Sequence, residues 1–164
     1  MKIKPLKKNS EFVAFVSDIY LRDKLNTSEI DTLQKSIDKF GVLVFRNQAL
    51  TDDEQVKFSE YFGNIEHSGK SSNITKDSDR RLSTKLADVS NIDKKSNVFK
   101  KNDPRRIFNL GNRLWHSDSS FKKVPAKYSL LSSKTIVKKG GNTEFSDMRL
   151  AYDCLLYTSP SPRD

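Results

Sequence analysis

The stretch LWHSDSSF, residues 114–121, sets His116 and Asp118 two positions apart. On a β-strand, side chains at i and i+2 share a face, so an imidazole nitrogen and a carboxylate oxygen can serve one ion. Such a pair and one distant histidine make the three-ligand face of non-haem Fe(II) centres, which leaves the opposite positions open. The spacing alone is weak evidence, because a structural hydrogen-bonded His–Asp pair is spaced the same way. The other histidine, His67, lies upstream in a polar stretch and reads as a surface residue, and none follows Asp118.

The elements that must carry this pair are mixed. Residues 28–40 space Ile30, Leu33, Ile37 and Phe40 three or four apart, which predicts an amphipathic helix stopped by Gly41. VLVF, residues 42–45, reads as a short buried strand. Thr51 and Glu54 form a capping box opening a second helix, which carries Val56, Phe58, Tyr61 and Phe62 and ends at Gly63. Residues 67–79 have loop chemistry, residues 86–92 suggest a strand, and residues 91–106 suggest a long mobile segment. Further strands are expected at LWHSD, over residues 126–137 and over residues 143–145, the last after a turn at Gly140 and Gly141. Asp147 is placed to cap a final helix. Trp115 and Phe121 are expected in the core.

The terminal string CLLYTSPSPRD breaks that helix pattern without a stop signal. It resembles a translated adaptor from transposase-based sequencing libraries. Residues 1–153 are therefore expected to be the genuine protein and residues 154–164 a foreign tail. Cys154, the single cysteine, falls in that tail, so neither a disulfide nor a cysteine-rich zinc site is expected.

A hydrophobic fraction of 35% against 31% charged residues describes a polar globular chain, with no apolar run of membrane-spanning length. With no signal-peptide pattern at the start, a cytoplasmic location is expected. The net charge of +9 invites a nucleic-acid partner, but the lysines are scattered among acidic residues and no recognition module organises them. A solvated surface, or attraction for an anionic substrate, accounts for them better.

LWHSDSSF together with PAKYSLLS (125–132), GGNTEFSDMR (140–149) and AYD (151–153) closely resembles the taurine / 2,4-dichlorophenoxyacetate dioxygenase family. So do VLVFRNQALTDDEQVKFSEYFGNIE (42–66) and LADVSN (86–91). The likeness is nearer the dichlorophenoxyacetate branch and covers most of residues 11–153, diverging at 67–83 and 92–110. It implies a mainly β fold with flanking helices, a double-stranded β-helix or jelly-roll, incomplete in this chain. It also implies an Fe(II)- and 2-oxoglutarate-dependent dioxygenase that hydroxylates a small anionic substrate, a carboxylate or sulfonate, releasing succinate and CO2.

Carried over residue by residue, His116 and Asp118 match two iron ligands. Thr143 matches the threonine that hydrogen-bonds the cosubstrate carboxylate; without the resemblance it would read as a β-former at a strand start. Asn112 matches a substrate-side asparagine or is a turn residue after Gly111. Lys70 and Lys95 fall near cationic substrate-binding positions, although each also reads as a solvated lysine. The family's second histidine and its cosubstrate arginine lie farther downstream than this chain reaches, and Arg163 sits in the expected tail. The chain is thus expected to be the N-terminal part of an enzyme and inactive alone. A metal-free jelly-roll binding module and a basic nucleic-acid-binding domain are the alternatives. A homo-oligomer is left open.

Overall fold

In the computed structural model, which describes residues 1–66 and 75–158, β-structure is concentrated near the start of the chain. Strands β1 (Lys2–Pro5), β2 (Ala14–Ser17) and β3 (Leu43–Phe45) form one sheet in that order. β1 runs antiparallel to β2, with Ile3 opposite Val16. β2 and β3 are parallel, with Ala14 opposite Leu43 and Val16 opposite Phe45. A parallel pair needs a crossover, and α1 (Thr27–Phe40) supplies it. The chain divides into two compact units: residues 1–49 with the segment from 133 onward, and residues 50–132.

In the first unit the apolar stripe of α1 and one face of β2 make the core. Ala14, Val16, Leu33 and Phe40 are buried, and Ile19, Leu21 and Leu25 close its edge. The helix starts where its sequence can satisfy the free N–H groups. Asn26 Oδ1 accepts from the Glu29 amide at 3.0 Å, and the Glu29 carboxylate accepts from the Asn26 amide at 2.9 Å. It ends at Gly41, whose φ of 68° lies in the left-handed region and whose N–H reaches the Ile37 carbonyl. The 42–45 run forms its strand one residue shorter than expected and half-buried rather than buried.

α4 (Met148–Thr158) begins at Asp147, as its sequence suggested, and continues through the 154–158 segment where a break was expected. Asp147 accepts from the Arg149 amide at 3.0 Å and from the Arg149 guanidinium at 2.9 Å. The same guanidinium donates to the Asp38 and Lys39 carbonyls, at 2.9 and 3.0 Å. It thereby caps carbonyls in the last turn of α1.

The second unit contains α2 (Asp52–Glu60), opened by the Thr51–Glu54 capping box, and the short α3 (Pro104–Asn109). Phe58 and Val56 are buried. Phe58 meets Phe62 edge-on at 5.3 Å, and Phe62 meets Tyr128 at 6.0 Å. Strand is absent at 86–92, 114–118, 126–137 and 143–145, contrary to expectation; only an isolated bridge joins Ile92 to Val98. A strand persists when its N–H and C=O groups find ladder partners. Beyond that bridge, no described strand pairs with these segments, so a mainly β composition is not what they display. Residues 91–106 are not a loose segment either. The Asp93 carboxylate accepts from the Lys95 and Asn97 amides, and Arg105 stacks 4.2 Å from the Phe99 ring centroid. Among the described residues no helix is long and apolar enough to cross a membrane.

Two outcomes follow from these caps. A Cβ at Gly41 would adopt a disfavoured φ and stand 3.4 Å from the Arg149 guanidinium, so Gly41→Ala should destabilise the first unit by about 1 kcal/mol in a urea melt. The Arg149 hydrogen bonds hold the Asp147 carboxyl below its ordinary value. Its contribution is therefore complete above that ordinary value and is lost as pH falls through the lower, folded one. Asp147→Asn keeps a good N-cap but no charge, so its thermal midpoint should fall less between pH 5 and pH 2 than that of the native chain.

Candidate metal centre

The His116–Asp118 stretch is delivered by a short run of tight turns. Asp103 caps α3, accepting from the Arg105 amide at 2.9 Å, and Pro104 occupies the first turn, where its missing N–H costs nothing. Asn109 Nδ2 donates to the Ser90 carbonyl at 2.8 Å and anchors the far end of that helix. A 3-10 turn, Leu110–Arg113, follows, and the Leu114 amide closes it on the Gly111 carbonyl. The chain then runs extended to a turn at residues 118–122, where Ser119 takes a φ of 56°.

This geometry brings the two side chains together without a β-strand. His116 Nε2 lies 3.3 Å from Asp118 Oδ1. His116 Nδ1 lies 2.7 Å from the Leu114 carbonyl oxygen. A carbonyl can only accept, so Nδ1 carries the hydrogen and, in the neutral ring, Nε2 presents its lone pair. Nε2 and a carboxylate oxygen are then two electron-rich atoms facing each other, an arrangement satisfied by a cation between them, a proton or a metal ion. Donors on adjacent positions of a metal with bonds of about 2.1 Å stand about 3 Å apart, so the pair fits such an ion. A backbone carbonyl on the remote nitrogen is one of the common partners of a metal-binding imidazole. Both side chains are about half exposed, 46% and 58%, so the pair adds little to stability as an ion pair. Among the described residues no group of three His, Cys, Asp or Glu side chains gathers around one point.

Two partners of the pair, and one of the turn that follows it, were not legible from spacing. Ser129 Oγ donates to Asp118 Oδ2 at 2.8 Å, leaving Oδ1 toward His116. Glu66 accepts from Ser119 Oγ at 3.0 Å and from Lys122 Nζ, which ties both ends of the turn after Asp118 to the segment following α2. The Lys122 hydrogen bond, helped by that of Ser119, holds the Glu66 carboxyl below its ordinary value. The third is the Leu114 carbonyl. Ser129 and Glu66 both lie within the family-like blocks, but nothing in their spacing points to residues 116–122.

Thr143 is exposed, outside any helix or strand, just past Gly140 and Gly141, whose φ values of 79° and 70° fit the expected turn. It belongs to the first unit, whereas His116 and Asp118 belong to the second. Asn112 is exposed within the 3-10 turn, and Lys95 is exposed in the Asp93 loop. Lys70 and His67 lie outside the described residues. Trp115 and Phe121, expected in the core, are 70% and 82% exposed, because no facing sheet among the described residues covers this stretch.

Comparison with known proteins decides the family. The model of the taurine catabolism dioxygenase TauD, TfdA family matches residues 2–161. The chain belongs to the TauD/TfdA family. It is 40% identical, over 93% of its length, to an alpha-ketoglutarate-dependent 2,4-dichlorophenoxyacetate dioxygenase of Cupriavidus pinatubonensis, covering 50% of that protein. It is 32% identical, over 90% of its length, to an (S)-phenoxypropionate/alpha-ketoglutarate-dioxygenase of Sphingobium herbicidovorans, covering 46% of it. Among solved structures, AAD-2 in complex with Mn(II) and N-oxalylglycine superposes with a TM-score of 0.87 at 45% identity, over 94% of this chain and 52% of that one. This TauD/TfdA chain thus spans about half the length of the relatives it matches.

In this member of the family the Glu66 bracket should be measurable. Glu66→Ala should speed backbone amide exchange across residues 118–122 by about tenfold, the loss of roughly 1.4 kcal/mol of local stability, while exchange in α1 is unchanged. Equal exchange at 118–122 in both proteins would remove Glu66 from the account of this turn.

Proposed function

We propose that the whole protein is an Fe(II)- and 2-oxoglutarate-dependent dioxygenase that hydroxylates a small organic acid of the aryloxyalkanoate kind. The observation that carries this reading is the convergence of His116 Nε2 on Asp118 Oδ1, with the Leu114 carbonyl holding the hydrogen on Nδ1. Family membership and the relatives' phenoxy-acid activities support the reaction and the substrate class.

In this reading His116 and Asp118 hold the iron, and Thr143 donates its hydroxyl to a carboxylate of 2-oxoglutarate. The bound iron supplies the redox centre at which 2-oxoglutarate and dioxygen yield succinate and CO2 while a substrate C–H becomes C–OH. The chain's own residues do the positioning. The Leu114 carbonyl keeps the imidazole in one tautomer, and Asp118 contributes one carboxylate oxygen. Lys70 and Lys95 are the candidates for pairing with the substrate carboxylate, and Asn112 for a polar contact beside it. A second histidine and a cosubstrate arginine of the whole protein would complete the site. The architecture of the complete domain is a jelly-roll with flanking helices, and residues 154–164 are the adaptor-derived tail. The enzyme works in the cytoplasm.

The test uses the full-length protein. It should form succinate from 2-oxoglutarate in step with consumption of 2,4-dichlorophenoxyacetate or a related acid. His116→Ala and Asp118→Ala should each fall below about 1% of that rate. Undiminished turnover in either variant would exclude these residues as iron ligands.

A further inference from the structure

We propose that Ser129 is a positioning residue for the metal centre: its hydroxyl occupies Asp118 Oδ2 and makes the carboxylate a one-oxygen ligand aimed at His116. The proposal rests on the metal-centre reading above and deepens it. A carboxylate turns about a soft terminal torsion, and Asp118 is more than half exposed at the start of a turn. Left alone, it would present either oxygen, or both, to a cation. The 2.8 Å hydrogen bond from Ser129 Oγ removes that freedom by engaging Oδ2, while Oδ1 stays 3.3 Å from His116 Nε2.

Ser129 can do this because its neighbours are fixed. Tyr128, immediately before it, packs its ring edge-on against Phe62 at 6.0 Å. The carbonyl of Leu130, immediately after it, accepts from Gln55 Nε2 on α2 at 3.4 Å. The serine is therefore held from both sides by α2 and the residues just past its end. The same region holds the turn that follows Asp118, since Glu66 engages Ser119 and Lys122. α2 and its following segment act as the support on which the aspartate is oriented. One-oxygen ligation suits a transition metal that must keep positions open, whereas two-oxygen ligation suits larger ions such as Ca(II).

The experiment titrates Mn(II) into the full-length protein and reads free Mn(II) by its EPR signal. Ser129→Ala should weaken Mn(II) binding by about tenfold. Ser129→Thr keeps the hydroxyl and should stay within about threefold of the native protein. Ser129→Cys, a near-isosteric weak donor, should behave like the alanine variant and serves if that variant does not fold. Native-like binding by the alanine or cysteine variant, or equal weakening by threonine, overturns the proposal. Asp118→Ala should lose tight binding altogether. If it binds Mn(II) as the native protein does, the metal-centre reading itself fails; if it loses binding while Ser129→Ala does not, only the positioning by Ser129 fails.

Discussion

The hydrogen bond between His116 Nδ1 and the Leu114 carbonyl is the constraint on which the rest of the site depends. It spans only two residues, so it forms wherever the backbone turns correctly and needs no distant partner. Once formed, it fixes which nitrogen carries the hydrogen and aims the other at Asp118. An exposed His–Asp contact would otherwise be a weak surface interaction. With the tautomer fixed, it becomes a pair of donors facing one point. Everything around it maintains that facing: the closed 3-10 turn before Leu114, Ser129 on Asp118, and the Glu66 bracket over the following turn.

The two units are stabilised in different ways. The first relies on a small buried core between α1 and the sheet, with helix ends satisfied by side chains. Arg149 joins residues far apart in sequence, because one planar guanidinium can serve Asp147 and two α1 carbonyls at once. Among the described residues the second has fewer buried side chains, and it is held by ring contacts and charged hydrogen bonds, among them Arg81 with Asp88 and Arg105 with Asp103. Many of its large apolar side chains, Trp115 and Phe121 included, remain exposed. Such a surface suits a chain spanning half the length of its relatives.

Local signals were the legible ones. The period of Ile30, Leu33, Ile37 and Phe40, the Thr51–Glu54 box, the Gly41 stop and the Asp147 cap each act within a turn or two of the helix they define, and each formed as expected, whereas α2 ends at Glu60, short of the expected stop at Gly63. Strands at 86–92, 126–137 and 143–145 did not, because a strand is a statement about a neighbour and residue type does not supply one. For the site, the His116–Asp118 pairing was legible from spacing, although the strand geometry invoked for it was not what produced it. Ser129 and Glu66 were hidden because their partners lie 11 and 53 or more residues away. The placement of Thr143 relative to the pair depends on how two separate units meet, which no local pattern encodes.

The most direct measurement is the protonation of the His116 ring, read by long-range proton–nitrogen NMR on the full-length protein, with His67→Gln used to assign the signals. The account predicts hydrogen on Nδ1 and an unprotonated Nε2 in the neutral ring, and a shift of the Nε2 resonance when diamagnetic Zn(II) is added. A ring protonated on Nε2, or one whose Nε2 resonance ignores the metal, would contradict it.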